Sequence, residues 1–288
     1  MPLIDGLEAL GTKWWVRLTN PEFIPIDSSI SQRVTGLILD FQLAYSRFDP
    51  ASLVSQLNQN RKLKNPPAEL IEMLTIGINF YNQTGGLFNI GLENQLRTIG
   101  YGQPIQPIEL VPDINKLIKI TDSHIQLIGQ GNIDLGGLGK GYLIELIAKY
   151  LRSQGYHNFL INGGGDILVS GDYPQTITLE NPFEPGVSLG QVVLDNQALA
   201  CSSTTKRCWN HPSYGQVSHI INPKSNNTKN HNPQSASFVI GSSILIADIV
   251  ATVLCIGDQT SYNQDILKKL KDKYQLKTKY LTGSKPII

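Results

Sequence analysis

The run from Ser243 to Ile256, SILIADIVATVLCI, constrains this chain more than any other segment. It is apolar nearly all round a helix, interrupted only by Asp248 and Thr252. A helix of that kind has no face to offer water and must lie inside the molecule. It is also too short to cross a bilayer, which takes about 20 apolar residues, and no other apolar run reaches that length. The rest of the chain therefore has to enclose it. With 288 residues, 41% hydrophobic and 16% charged, the sequence carries enough apolar side chains to do so and none of the polar bias of disordered chains.

The enclosing elements can be read from spacing and punctuation. Gly11 to Leu18 suits a first strand. Ser29 and Ser31 can cap a helix in which Val34, Leu37, Ile38, Phe41 and Ala44 recur at helical spacing, ending near Arg47-Phe48-Asp49-Pro50. A second helix runs from Pro67 to the stop at Gly85-Gly86, and a third from Gly139 to Gln154, closed by Gly155. Residues 103–130 read as short strands and turns. Phe159 to Ile161 is a strand entering a glycine turn, and Ile167 to Val169 leaves it. Between 176 and 240 lie strands and loops, clearest at Val192 to Leu194 and Phe238 to Ile240, with a polar loop from Asn222 to Gln234. The apolar helix follows, with Gly257 beyond it, and then a charged helix near 264–273. Helices separated by groups of strands predict an α+β fold, a single large domain over 1–288 with mixed or antiparallel sheets and packed helices.

Charge and cysteine content remove several function classes. Lys+Arg at 24 against Asp+Glu at 23 leaves a formal +1, with no long-range field to draw in nucleic acid or an anionic membrane. Cys201, Cys208 and Cys255 have neither a CxxC spacing nor an even count, so they predict ordinary thiols in a reducing compartment. The opening residues Met1 to Gly6 show no basic region followed by an apolar core and no lipobox cysteine. The expectation is a cytoplasmic protein without a membrane span.

Three segments carry candidate chemistry. Asp134-Leu135-Gly136-Gly137-Leu138-Gly139-Lys140-Gly141-Tyr142 crowds glycines, a carboxylate and a lysine into a helix entry, where backbone N–H groups and the helix end can approach an anion. It is not a Walker loop, because Gly141 follows Lys140 and Asp134 sits at the first glycine position. Gly163-Gly164-Gly165 fails the dinucleotide fingerprint, since Leu168 occupies the last glycine position. Each loop alone is equally a turn with a helix cap. Asp248 and Thr252, four apart on the apolar helix, share a face and form a hard-oxygen pair for a small divalent cation. The bland alternative has Asp248 capping a loop and Thr252 bonding back to its own helix. Ser218-His219-Ile220-Ile221-Asn222-Pro223 sets a histidine in a short apolar strand before a proline turn, where it could serve as a base titrating near neutrality. A lone histidine is more often structural, and His124, His157, His211 and His231 all lie in polar or turn contexts.

Taken in order, the GT-strand, SRFDPxSxxxxLN, TGGLFN, DLGGLGKGY, NGGGD, SHIINP and ADxxAT resemble the FAD:protein FMN transferases, the ApbE-type flavin transferases, across nearly the whole chain. The resemblance implies magnesium-dependent transfer of FMN from FAD, as substrate, to a threonine or serine of an acceptor protein, with AMP released. It implies that Asp248 and Thr252 hold magnesium, completed by the backbone around Gly137 and Gly139. Leu10, Phe48, Gly85, Gly86, Leu87, Asp134, Lys140 and Ile221 would line the FAD pocket, and His219 falls at the catalytic histidine. Members are often exported lipoproteins. The sequence departs from the family pattern at Asn89 and Asn222, where aspartate is usual, and at Ser225-Asn226, where a Thr-Gly pair is usual. Two other activities would use the same pocket: an FAD pyrophosphatase with water as acceptor, and a protein that binds FAD without transferring it.

Overall fold

The computed structural model describes residues 2–19, 27–106, 110–225, 234–256, 261–283 and 285–287; Gly257, most of the 222–234 loop and His231 fall outside them. In chain order the elements are β1 (Pro2–Ala9), β2 (Thr12–Leu18), α1 (Ser28–Tyr45), α2 (Leu53–Asn60), β3 (Lys62–Lys64), α3 (Ala68–Gln83), α4 (Glu93–Thr98), α5 (Ile114–Leu117), β4 (Ile118–Ile120) and β5 (His124–Leu127). There follow α6 (Gly139–Ser153), β6 (Phe159–Gly163), β7 (Asp166–Ser170), β8 (Gln175–Glu180), β9 (Ser188–Leu194), β10 (Ala198–Ser203), β11 (Cys208–His211) and β12 (Gly215–Ser218). The chain ends with β13 (Ser235–Gly241), α7 (Ile244–Ile256), α8 (Ser261–Tyr274), β14 (Lys277–Thr282) and β15 (Lys285–Ile287).

The frame is an eight-stranded sheet in the order β1-β2-β6-β7-β10-β13-β14-β15, antiparallel at each neighbouring pair. Side chains alternate across it, as the period of a strand requires. On β6, Phe159 and Ile161 enter the main core with the helices, while Leu160 joins a second cluster on the opposite face. Ala198 and Ala200 of β10 likewise face the helices, and Leu199 faces away. That second face is covered by the β8–β9 hairpin through Ile177, Leu179 and Val192. The fold is thus the α+β arrangement of antiparallel sheets and packed helices that the sequence predicts.

The apolar helix α7 is the centre of this arrangement. It packs on β10 and β13 and against α6, and Ala247, Ile249, Val250 and Ala251 are fully buried. Its first turn is held by Glu145 of α6, whose Oε1 accepts from Ser243 Oγ at 2.9 Å and Ile244 N at 3.1 Å. α6 and α7 come so close that a Cβ on Gly141 would lie 2.8 Å from Leu245 Cα. Only glycine fits there.

Several local expectations change. Asp27, not Ser29 or Ser31, caps α1, accepting from Ser29 N, while the Ser31 hydroxyl donates to Leu3 O. β1 is an additional strand, and register shifts at Pro2/Ile4 and Asp5/Leu7 break the alternation by which it could be read. α2, capped by Ser52, is a further helix in a stretch to which the sequence reading gives no element. His219 lies one residue past β12, not within a strand. The triple glycine is a β6–β7 hairpin turn, with Gly164 and Gly165 at φ of 71° and 100°. No helix follows it, so it cannot cradle a pyrophosphate as the dinucleotide loop does.

Candidate active site

Where α6 meets α7, three charged side chains come together. Lys140 Nζ bonds Asp166 Oδ2 and lies 3.4 Å from Asp248 Oδ1, while Asp248 Oδ2 accepts from Gly141 N at 3.0 Å. Asp166 opens β7 directly after the glycine hairpin, is 1% exposed, and accepts from Cys201 N at 3.1 Å. Burial works against the Lys140 ammonium, but the two carboxylates outweigh it and hold its pKa above the usual lysine value. Burial pushes the Asp248 carboxyl up to about 7, Lys140 opposing and Asp166 assisting the shift. One turn along α7, Thr252 Oγ1 lies 3.5 Å from Ser202 Oγ of β10.

These are hard-oxygen donors, two carboxylates and two hydroxyls. Among the described residues no group of three or more His, Cys, Asp or Glu gathers that could hold a metal by itself. Such a partial set suits magnesium, which binds through one or two carboxylates and takes waters and substrate phosphate for the remainder. Asp248 braces the first turn of α6 through Gly141 N, while its other oxygen faces Lys140 Nζ.

A second group forms around Tyr101. Its ring stacks on Trp209 at 5.6 Å between centroids, meets Phe48 edge-on at 5.5 Å, and lies 6.0 Å from the His219 ring. Phe48 is 59% exposed, a ring presented to solvent beside the buried Arg47 side chain. Arg207 ties this group to the first sheet, donating to Tyr101 Oη at 3.2 Å and to Gly11 O at 2.8 Å, while Arg207 O accepts from His219 N at 3.4 Å. Beside it Leu10 takes a left-handed φ of 53° and donates its N–H to Gln42. Ile221 packs with Leu92 and Leu96 beneath.

His219 is held neutral. Burial first, then the nearby Arg207 and Lys140 cations, lower its pKa from 6.5 to about 4, against a main-chain bond with Arg207 that raises it. Its Nδ1 is buried without a hydrogen-bond partner. A neutral imidazole with an unpaired nitrogen can accept a proton from a donor that reaches it.

The glycine turns meet as well. Gly85 and Gly86 have φ of 56° and 90°, and Leu87 and Phe88 are buried behind them. The Phe88 ring lies 3.1 Å from where a Cβ on Gly137 would stand. Gly139 opens α6, and Asp134 turns the loop by accepting from Gly136 N at 2.8 Å. The resemblance puts Lys140 in the FAD pocket; here its partners are Asp166 and Asp248. Two of the three departures from the family pattern make hydrogen bonds: Asn89 donates to Pro112 O and accepts from Gly91 N, and Asn222 accepts from Lys224 N, while Asn226 of the third lies outside the described residues. Asp166, Arg47, Tyr101 and Arg207 are site residues that the sequence does not single out. The available signal was a charged residue abutting an apolar strand, as Asp166 abuts Ile167 to Val169.

The sheet thus frames a lysine–carboxylate cluster where α6 meets α7 and a buried histidine beside the Tyr101 ring. The chain belongs to the ApbE family, whose profile matches residues 10–274. It is 24% identical over 263 residues to the FAD:protein FMN transferase of Buchnera aphidicola subsp. Schizaphis graminum, covering 84% of this chain and 76% of that protein. To the enzyme of the same name from Vibrio cholerae it is 24% identical over 268 residues, covering 86% and 79%. In structure it matches the ApbE protein of Thermotoga maritima with a TM-score of 0.82 at 17% identity, over 99% of this chain and 97% of that one. The flavin transferase ApbE of Vibrio cholerae gives 0.75 at 20% identity, over 96% and 91%.

Proposed function

We propose that this chain, acting as one domain over 1–288, transfers FMN from FAD to a threonine or serine hydroxyl of an acceptor protein and releases AMP. The family and its named relatives support flavin transfer to protein, and one observation carries the catalytic reading: His219 is neutral at pH 7 with Nδ1 unpaired. A protein that only stored FAD would have no use for such a base.

In the reaction a bond forms between the acceptor oxygen and the FMN phosphorus, and the anhydride bond to the AMP phosphate breaks. His219 takes the proton from the acceptor hydroxyl, which is otherwise a weak nucleophile. Asp248 and Thr252, with Ser202 and Asp166 nearby, would hold magnesium, which when bound stabilises the negative charge that develops on the phosphates. Lys140 keeps the two buried carboxylates compensated, so the pocket that receives the pyrophosphate is not itself strongly anionic. Gly137 and Gly85, which are not buried, have no side chain to stand between the backbone and an approaching ligand.

The test is to incubate the protein with FAD, magnesium and a candidate acceptor and to look for an FMN mass addition. An acceptor with alanine at the modified threonine should remain unlabelled. Free FMN with no labelled protein would instead identify an FAD pyrophosphatase.

A further inference from the structure

We infer that Arg47 is a positioning residue for this transfer, whose guanidinium locks the pocket carboxylate Asp134 and the Tyr101 ring into one unit beside His219. The inference rests on the proposed reaction and concerns a residue to which no role has been given. The Arg47 side chain is 4% exposed although it follows a helix end at the surface. Its Nε lies 3.1 Å from Asp134 Oδ2, its Nη2 donates to Tyr101 O at 2.8 Å, and its Nη1 is 3.8 Å from Glu93 Oε1. The Cζ atom sits 4.2 Å from the centroid of the Phe48 ring and 4.8 Å from that of Tyr101.

A planar fork can serve a carboxylate on one edge, a carbonyl on another and rings on its faces at the same time, whereas a lysine ammonium on a flexible stem cannot. The chain also makes room for it. Gly102, at a φ of 113°, would bring a Cβ within 3.1 Å of Nη1. One tie of Arg47 ends on the buried Glu93, but the others end on Phe48, whose ring is 59% exposed, on Asp134 in the glycine loop, and on Tyr101, whose ring also neighbours that of His219. One rigid cation thus sets the spacing between the pocket wall and the base.

The test uses the full chain with FAD and magnesium. Arg47→Lys keeps the charge beside Asp134 and Glu93 but loses the fork. We expect its dissociation constant for FAD, read by quenching of flavin fluorescence, to rise about tenfold. At saturating FAD its rate of labelling an acceptor that the wild type modifies should fall by up to about a hundredfold, because a displaced base loses its geometry. The imidazole proton resonance of His219, shifted by the Tyr101 ring, should move. Tyr101→Leu removes the ring and no charge, so it gives a second reading that does not depend on the buried ion pairs, and it should move the same resonance and slow labelling. If Arg47→Lys binds FAD and labels as the wild type does, with His219 unshifted and only a lower melting temperature, Arg47 is a brace and the inference is overturned. Unchanged His219 resonance and labelling in Tyr101→Leu would overturn it equally. If the wild type binds FAD yet labels no acceptor, the proposed reaction fails, while the FAD affinity and the His219 resonance still decide the role of Arg47.

Discussion

At the scale of single residues, the environment of His219 changes what its type alone suggests. An ordinary histidine would give a rate that rises with pH near neutrality, but this one has its pKa lowered to about 4 by burial, Arg207 and Lys140. It is therefore already neutral from pH 5 upward, and transfer should show no loss between pH 8 and pH 5 attributable to this group. His219→Ala should retain FAD binding and lose transfer by about a hundredfold or more, the cost of removing a general base; labelling at wild-type rates would exclude it. The same shift links pH to stability. The unfolded chain takes up a proton near pH 6.5 and the folded one only near 4, so the unfolded state binds more protons between these values. Stability should fall as pH drops through that window, and less steeply in His219→Ala, as urea titrations at pH 7, 5.5 and 4 would reveal. For Asp248 the informative change is to asparagine. Alanine would orphan the Gly141 N–H as well as remove the charge, whereas Asp248→Asn keeps an oxygen for that bond. Calorimetry should then find magnesium binding lost in a folded protein, and retained binding would move the metal elsewhere.

Elements set these residues in place, and the junction of α6 and α7 matters most. Gly141→Ala would press a Cβ to 2.8 Å from Leu245 Cα, 3.1 Å from Asp248 Cβ and 3.1 Å from Ile244 O. Backbone cannot yield as a side chain can, so we expect a loss of about 1–3 kcal/mol in unfolding free energy, with weaker magnesium binding because Asp248 is pushed aside. An alanine variant as stable as the wild type would show that the two helices are not in fixed contact. This junction also shows how far the sequence could be read. α3 and α6 are legible because each is long, periodic and ended by glycine, and α7 because it is a long apolar run in which Asp248 stands out as a lone carboxylate. α4 was not, since Glu93, Asn94, Gln95 and Thr98 are buried there and leave no apolar stripe to follow. α2 is too short, at 8 residues, for its period to register. The partners of Lys140 were out of reach for a different reason. Asp166 is 26 residues away and Asp248 is 108, brought to it only by the β6–β7 hairpin and the packing of α7. Local pattern names a residue that needs a partner; only the tertiary arrangement says which one it has.

For the molecule as a whole, the site draws on most of the architecture. Leu10 lies between β1 and β2, Arg47 and Phe48 follow α1, Lys140 is in the first turn of α6, Ser202 is in the last part of β10, His219 follows β12 and Asp248 sits within α7. Unfolding separates all of these, so a ligand that contacts several of them binds the folded state and not the unfolded chain. Mass action then requires stabilisation, about 2.7 kcal/mol at a ligand concentration 100 times the dissociation constant. For a chain of this size that should raise the melting temperature by about 4–5 °C. The size of the shift also separates the donor from free FMN. FAD spans both the flavin and the adenylate parts of the pocket, while FMN can satisfy only one, so at equal concentration FMN should raise the melting temperature less. The scans are run without an acceptor, with and without magnesium, because labelling would otherwise deplete the donor during heating. Equal shifts for FMN and FAD would mean that nothing in the folded molecule grips the leaving half. The protein would then be a carrier of flavin, with no means to hold AMP in place as the anhydride breaks.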